Sequence, residues 1–277
     1  MIRSSILNPA QQLCMFDEII YNVEYDMDVE SESNSKGAMV MSKMEEAFVR
    51  LRRDILDAHL APETPLTISS LSERYGLGMT PLREALSRLE AERLVTFSHN
   101  RGYRVASVSH EELLDLQKAR ATVETELLRE AIRLGDDTWE QQLVAAHYGF
   151  AQAEPLYANI PEKELARWEE RHDAFHQALL NGSPSIWLKR FVAQIYIQLH
   201  RHQRNLFFSP SLAGRGPKHL DEQQYTELLK KASNMEHHTA LMEAALARDE
   251  KKAIALLVED IGLTLSTYET VQHEPVA

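Results

Sequence analysis

A helical pattern of apolar positions stands out between residues 82 and 89. Apolar residues recur there at intervals of three and four, which places them on one face of an α-helix. These residues are Leu82, Ala85, Leu86 and Leu89. Arg83 and Ser87 fall between them, on the opposite face. The pattern predicts a helix that packs its apolar face on a core and exposes its polar face.

Two short helices are predicted on either side of Gly76. Ser70 and Glu73 have the spacing of a capping box, so the first helix is expected to begin at Ser70. Gly76 can adopt the positive φ that ends a helix. Thr80 and Pro81 then predict the N-cap and the first residue of the second helix, because proline is tolerated where no backbone N–H is needed.

A hairpin follows the second helix. Val95–Phe97 and Tyr103–Val105 alternate as strands do, and the segment 99–102 between them ends in a glycine. Two helices, a tight turn and a hairpin form a winged helix-turn-helix, whose usual task is to read duplex DNA. A small protein-binding module of the same shape is the alternative.

Five residues of this module are candidates for contacts to DNA. Arg83 lies near the start of the second helix, where a recognition helix meets the major groove. Arg101 and Gly102 form the hairpin tip, which suits a wing lying against phosphates. Arg88 and Arg104 are further candidates, or they are solvated surface charges.

The rest of the chain has the period of helices, and no strand-like segment follows residue 106. Capping residues, glycines and prolines separate the helical segments. The predicted helices are Met44–His59 in the first domain, then 109–134, Thr138–Ala153, Glu162–Leu180, Ser185–Phe208, Leu220–Ala247 and Glu250–Val271. The fold class is therefore mostly α, with the winged module followed by an antiparallel all-α bundle of about six helices.

The helix predicted over Ser185–Phe208 has two kinds of residue at helical spacing. Its apolar stripe is expected in the core, and it consists of Trp187, Phe191, Ile195 and Leu199. Its polar residues are expected on an exposed face, and they include His200, His202 and Arg204.

Length and charge favour two domains of different character. The chain has 277 residues and a net charge of −12. Residues 44–107 hold nine arginines and nine acidic residues, so this segment is neutral, as suits specific and salt-sensitive DNA binding. We predict an acidic, disordered extension over 1–43, a DNA-binding domain over 44–107 and a helical domain over 108–277. A start codon assigned too early is the alternative explanation of the extension.

Cysteine usage and hydropathy indicate a cytoplasmic location. Cys14 is the only cysteine, which excludes intramolecular disulfides and fits a reducing compartment. The apolar runs are too short to span a bilayer, and the N-terminus lacks the pattern of a signal peptide. We therefore expect no association with a membrane.

A histidine pair is the main chemical feature of the helical domain. His172 and His176 are four residues apart, so both imidazoles leave the same face of a helix and can share one divalent ion. His238 and Asp260 lie on later helices and could complete the ligand set. The alternative is a pair of surface or hydrogen-bonded core histidines. Nitrogen and oxygen ligands of this kind suit zinc, nickel or manganese.

The sequence resembles a known family of regulators. Thr80–Val95 (TPLREALSRLEAERLV) and Arg101–Ala106 (RGYRVA) are similar to the DNA-binding domain of GntR-type bacterial transcription regulators. The remainder resembles the FCD domain of the FadR-type branch, most closely the carbon-starvation-induced regulators (CsiR). The resemblance implies a homodimer on a palindromic operator, with Thr80, Arg83 and Gly102 at contact positions. Met79 and Ser69 depart from basic residues usual in relatives, which leaves the operator sequence open.

The resemblance also bears on the helical domain. It implies a metal site at His172, His176, His238 and Asp260, in which an acid and a histidine have exchanged places relative to most family members. Asp173 and His237 are adjacent alternates, and a metal-free pocket is the competing interpretation. The resemblance further favours an effector role for two arginines, which in that case would grip a small mono- or dicarboxylate. They are Arg120 and Arg201, and a surface ion pair of Arg120 with Glu124 is the alternative.

Taken together, these features favour a ligand-responsive transcription regulator, expected to be a repressor and not an enzyme. A metal-dependent enzyme in a helical bundle is one alternative. A di-iron site would need two E-x-x-H motifs, and the chain has one, Glu169–His172. A protein-interaction adaptor is another alternative, which predicts no salt-dependent affinity for DNA.

Overall fold

The structure is a computed structural model, which describes residues 41–208 and 220–272. The predicted extension over 1–43 lies outside these residues except for its last three positions. The chain divides into two compact units, and the boundary along the chain falls between Val108 and Ser109.

The first unit consists of three helices and a two-stranded antiparallel sheet. In chain order these are α1 (Lys43–Leu56), α2 (Ile68–Tyr75), α3 (Met79–Ala91), β1 (Val95–Ser98) and β2 (Gly102–Val105). The strands pair from Val95 with Val105 to Ser98 with Gly102. This is the winged helix-turn-helix that the sequence predicts.

The core of the first unit forms between α1 and α3. The predicted apolar stripe of α3 is completely buried, and Leu51 and Ile55 of α1 are buried with it. Burying a side chain of this size contributes about 1.5–3 kcal/mol, so this interface holds α3 in place while its polar face stays outside.

Two predicted helix starts are wrong, and both shift in the same direction. The N-cap of α2 is Thr67, one turn before Ser70, and its hydroxyl accepts a hydrogen bond from the Ser70 backbone N–H at 3.2 Å. The N-cap of α3 is Gly78, not Thr80. Pro81 then stands in the first turn, where the backbone N–H groups have no helical partner in any case. The turn itself is as predicted, since Gly76 has φ of 69°.

The predicted end of the first helix is also too late. Helix α1 stops at Leu56, and Asp57 is its C-cap. The next residue, Ala58, has φ of 60°, a left-handed conformation that cannot continue a helix.

The second unit is entirely helical in the part that the structure describes. Its helices are α4 (His110–Leu134), α5 (Asp137–Ala151), α6 (Glu162–Leu180), α7 (Ile186–Gln203), a π-helical turn (Arg204–Phe208), α8 (Glu222–Ala232), α9 (Met235–Leu246) and α10 (Glu250–Gln272). Helix α4 packs against α7 and α10, and α5 packs against α6. This confirms the all-α bundle.

The helix predicted over Leu220–Ala247 is wrong, because α8 and α9 are separate. Ser233 ends α8, and Asn234 caps α9 by accepting a hydrogen bond from the Glu236 backbone N–H at 3.0 Å. Asparagine favours this role because its side chain competes with the helical backbone for hydrogen bonds. The described residues of the bundle therefore form seven α-helices instead of about six.

Helix α7 differs from expectation on both of its faces. Leu199 is buried as predicted, but Trp187 is 65% exposed and Phe191 is 49% exposed. His202 and Arg204, expected on a polar surface, are buried instead. Helical spacing shows which residues share a face, but it does not show which face another helix covers.

None of the helices in the described ranges combines the length and apolar character that a membrane span requires.

Candidate nucleic-acid interface and ligand cavity

The outer face of α3 presents the side chains that the sequence predicts for base contacts. Thr80 and Arg83 are both exposed near the start of the helix, and Met79 precedes them. Glu84 and Ser87 extend the same exposed surface. A helix anchored by a buried stripe and exposed at its first turns has the form that enters a major groove.

Arg88, a predicted DNA contact, is held within its own unit. Its guanidinium Nη1 donates to Glu45 Oε2 at 2.7 Å. The guanidinium carbon also lies 3.7 Å from the centre of the Phe48 ring, which is a cation–π contact. Arg88 therefore fastens α3 to α1.

The predicted DNA-contact residues of the wing differ in their surroundings. Arg101 is exposed at the tip, and Gly102 beside it has φ of 67°, where a glycine is favoured. Arg104 turns back, because its Nη1 donates to the Glu63 carbonyl at 2.7 Å. Arg101 thus lies on the outer surface, whereas Arg104 joins the wing to the loop before α2.

A buried aspartate that the sequence analysis missed anchors α2. Asp54 Oδ2 accepts hydrogen bonds from Arg74 at 2.7 Å and from the Tyr75 hydroxyl at 2.7 Å. Burial, and then the neighbouring Asp54 carboxylate, raise the pKa of Tyr75, so its hydroxyl remains a donor at neutral pH. The signal in the sequence was an acidic residue one position before Ile55 of the α1 core.

Three histidines meet in the second unit. His172 and His176 come from α6 and His238 comes from α9, and one nitrogen atom of each lies within 4.8 Å of the others. The ring centres of His172 and His176 are 4.5 Å apart, and those of His176 and His238 are 5.4 Å apart. The pair four residues apart therefore does meet a histidine from a distant helix.

Asp260 of α10 lies beside two of these histidines. Its carboxylate is 3.5 Å from His238 Nε2 and 3.7 Å from His176 Nε2. It also faces Arg120, whose Nη2 is 3.7 Å away. The structure thus brings all four predicted metal residues together, with Asp260 between the histidines and an arginine.

The hydrogen bonds of two of these histidines leave nitrogen lone pairs available for a ligand. His238 Nδ1 donates to the Asn234 carbonyl at 2.8 Å, so in the neutral ring Nε2 carries the lone pair, and this buried atom has no hydrogen-bond partner. His172 Nδ1 contacts Asp173 Oδ1 at 3.3 Å. A second hydrogen bond of this kind commonly orients a metal-binding histidine.

The electrostatics of the cluster favour the neutral form of two of its imidazoles, His176 and His238. Burial, and then the neighbouring His172, lower the pKa of His176 well below its usual value. Burial lowers the pKa of His238 to about 4, although Asp260 opposes the shift. Both ring nitrogens of His176 are buried without a hydrogen-bond partner. Neutral, desolvated imidazoles with free lone pairs fit a divalent metal ion, which binds only the deprotonated nitrogen.

Arg120 points into the bundle and does not lie on its surface. Its Nε donates to Glu124 Oε1 at 2.6 Å, and both side chains are buried. Its guanidinium carbon lies 5.7 Å from the centre of the Tyr196 ring. The ion pair with Glu124 considered in the sequence is present, but it is an ion pair of the core.

A cavity that opens to solvent adjoins the histidine cluster. Helices α4, α6, α7, α8 and α10 contribute to its wall. Charged and polar residues line one part, and apolar residues such as Trp168 and Leu199 line another. The wall consists of Arg120, Leu156, Trp168, Glu169, His172, Asp173, His176, Tyr196, Leu199, His200, Gln203, Leu229, Ala232, Thr264 and Thr267.

Arg201, the second predicted effector residue, is buried but does not line this cavity. Its Nη2 donates to Gln198 at 3.1 Å and lies 3.8 Å from Glu112 near the start of α4. A different arginine, Arg204, contacts the cavity wall, because it forms a buried two-point ion pair with the lining residue Glu169. The sequence held no local sign of this pair, since the two residues are 35 positions apart.

Comparison with known proteins agrees with this division. Residues 43–105 match the family described as "Bacterial regulatory proteins, gntR family", and residues 115–262 match the FCD domain. The transcriptional repressor GlaR of Escherichia coli is 37% identical over 207 residues, covering 75% of this chain and 87% of that protein. The uncharacterised regulator BphR of Paraburkholderia xenovorans is 31% identical over 229 residues, which cover 83% of this chain and 86% of that protein.

Solved structures share the fold at low sequence identity. McbR/YncC of Escherichia coli has a TM-score of 0.60 and 18% identity, covering 82% of this chain and 97% of that chain. A GntR transcriptional regulator from Rhodococcus has a TM-score of 0.60 and 17% identity, and the match covers 84% of this chain and 100% of that chain. The FCD match alone spans more than half of the 277 residues. The chain therefore belongs to the GntR family of bacterial transcription regulators with an FCD domain, and it is a regulator and not an enzyme.

Proposed function

We propose that this protein is a repressor of a catabolic or transport operon, controlled by a small carboxylate. Residues 44–107 bind a palindromic operator in the cytoplasm, and residues 108–277 bind the effector and form the homodimer. The observation that carries the proposal is the cluster of His172, His176 and His238 beside Arg120, next to a cavity in the helical unit. Two relatives are named repressors, GlaR and RspR. We place the chain nearest to the carbon-starvation-induced branch.

DNA recognition is assigned to the exposed residues of α3 and the wing. Arg83 and Thr80 contact base edges, Arg101 and Gly102 approach the backbone from the wing, and Arg88 and Arg104 support these elements. Arg83→Ala is expected to abolish binding to operator fragments recovered from genomic DNA. Arg133→Ala is the matched control, because Arg133 is an exposed arginine of the second unit. Unchanged affinity of Arg83→Ala would refute this assignment.

The metal site is assigned to His172, His176, His238 and Asp260. These residues would hold one zinc, nickel or manganese ion, which would supply a positive charge to bind an anionic ligand. His176→Ala is expected to reduce the metal content of the purified protein, as measured by mass spectrometry. His237→Ala is the control, because that neighbouring ring instead contacts the Leu256 carbonyl at 2.8 Å. Equal metal contents would place the ion elsewhere.

We assign the effector to the class of small carboxylic acids, because Arg120 and a bound metal ion would both present positive charge at one part of the cavity. Arg120 spends its Nε on Glu124 and keeps further donors for a ligand carboxylate. We expect short mono- and dicarboxylic acids to raise the melting temperature of the wild type and to release it from its operator. Arg120→Lys should weaken both effects while DNA binding persists. A normal dose response would exclude Arg120 as the anchor. Arg201 has a second, indirect role in this scheme, because it holds α7 to the start of α4.

The dimer is assigned to the exposed apolar end of α7. Ile186, Trp187 and Phe191 form a patch of exposed apolar side chains there, which a second copy of the chain would cover. Trp187→Glu is expected to give monomers in sedimentation experiments. Val144→Glu is the control, because Val144 is an exposed apolar residue of another helix, α5. A Trp187→Glu protein that remains dimeric would place the interface elsewhere.

A further inference from the structure

The first residue of the recognition helix is an exposed methionine. Met79 begins α3 and is 63% exposed, more than either of the other large exposed apolar residues of the described first unit, Met41 and Phe97. Its side chain contributes little to the core, since the buried stripe of the helix starts at Leu82. An apolar side chain held in water gains nothing from that position unless a partner covers it.

Its neighbours show which partner would cover it. Thr80 and Arg83 occupy the same exposed turns of α3, and the first residues of a recognition helix are those that meet base edges in the major groove. The only apolar group on those edges is the C5-methyl group of thymine. Arginine at such a place pairs with guanine, whereas an unbranched thioether has no hydrogen-bond donor and packs against methyl groups.

We propose that Met79 determines operator specificity by packing against the methyl group of one thymine in each half-site. The inference rests on the proposed DNA-binding function. It adds that a van der Waals contact, not a hydrogen bond, selects this base pair. Glu84 and Ser87, further along the helix, are exposed as well, but they offer polar contacts and no apolar one.

Replacement of thymine by uracil tests the contact, because uracil lacks only the methyl group. The operator is first selected from a pool of random duplexes, and each thymine is then replaced by uracil in turn. For the wild type, we expect one position in each half-site where uracil weakens binding about fourfold, the effect of one buried methyl group. Fluorescence anisotropy at fixed salt measures the affinities.

Three variants identify the side chain responsible. Met79→Ala should bind the thymine and uracil duplexes equally well at that position. Thr80→Ser, which removes the neighbouring methyl group and keeps the hydroxyl, should retain the wild-type preference for thymine. Met79→Arg should shift the selected base toward guanine. Met79 is exposed, so none of its substitutions disturbs the core of the unit.

The possible outcomes separate this inference from the function on which it rests. If uracil has no effect on the wild type, or has the same effect on Met79→Ala, the inference is wrong while DNA binding stands. Transfer of the sensitivity to Thr80→Ser would assign the methyl contact to Thr80 instead. If no duplex is selected at all, both the inference and the DNA-binding function are overturned.

Discussion

The buried ion pair between Arg204 and Glu169 provides a quantitative test of the second unit. Arg204 Nε donates to Glu169 Oε1 at 2.9 Å, and its Nη2 donates to the other carboxylate oxygen. The two side chains are almost completely buried. Removing one partner leaves the other charge without its counter-charge in the interior, which costs about 3–5 kcal/mol. Glu169→Leu should therefore reduce the free energy of unfolding by about that amount.

Removing both charges should restore most of the loss. A buried ion pair replaced by apolar residues of similar volume is often neutral or stabilising. The double variant Glu169→Leu, Arg204→Met should therefore unfold close to the wild type. Glu140→Ala is the control, because its ion pair with Arg248 is partly exposed and is worth about 0.2–1 kcal/mol.

Urea unfolding followed by tryptophan fluorescence measures these differences in the free energy of unfolding, and it reports on the second unit. The three tryptophans of the chain are Trp139, Trp168 and Trp187, and all of them belong to the second unit. The protein concentration must be fixed, since association shifts apparent stability. A double variant as unstable as Glu169→Leu would refute the argument, because it would show that packing and not charge pairing accounts for the loss.

Three further changes test other parts of the structure by measurements of stability. Arg248→Ala should reduce the free energy of unfolding by about 2–3 kcal/mol, because the guanidinium donates to the Ile132 and Gly135 carbonyls at 2.7 and 2.9 Å. Unchanged stability would mean that water replaces these two hydrogen bonds. Lowering the pH of the metal-free protein from about 7.5 to about 5 should reduce its free energy of unfolding by about 2 kcal/mol through His238 alone. Its folded pKa of about 4 lies below its unfolded value of 6.5, so the unfolded state binds more protons in that window. A flat profile would contradict the burial of that ring. Gly76→Ala should reduce the free energy of unfolding of the first unit by about 1 kcal/mol through its positive φ alone, since no atom lies within 4 Å of the added methyl group. Melting followed by circular dichroism measures the loss, and a much larger loss would show a steric clash instead.

Local patterns in the sequence predicted the parts of the fold that local interactions determine. The apolar stripe of α3 and the bounds of α6 are correct, because hydrophobic spacing and caps act within one helix. The histidine pair on α6 was visible for the same reason. Its third member, His238, came from a later helix and from the family resemblance, since spacing within one helix cannot show what lies opposite.

The errors arise where the answer depends on the arrangement of several helices. Trp187 and Arg204 lie on helical faces that the sequence identifies, but which face is covered depends on how α7 packs against its neighbours. The division of Leu220–Ala247 into two helices depends on a polar cap at Asn234 that competes with a continuous helix by a small free energy. Choices between competing caps, as at Thr67 and Ser70, are equally close.

The distribution of charge in the second unit explains why its polar interior is better understood as a binding site than as a source of stability. One apolar cluster of its described residues includes Leu165 and Tyr225, which are both almost completely buried. By contrast, Arg120, Glu124 and Asp260 are all buried beside the cavity. Such groups lose much of their hydration energy and regain little of it, so a core of the same size filled with apolar residues would be at least as stable. A bundle that retains them gains preoriented charges, among which Arg120 is the one that lines the cavity. Under the function proposed above, the stability given up at the cavity is the physical basis for binding a charged effector.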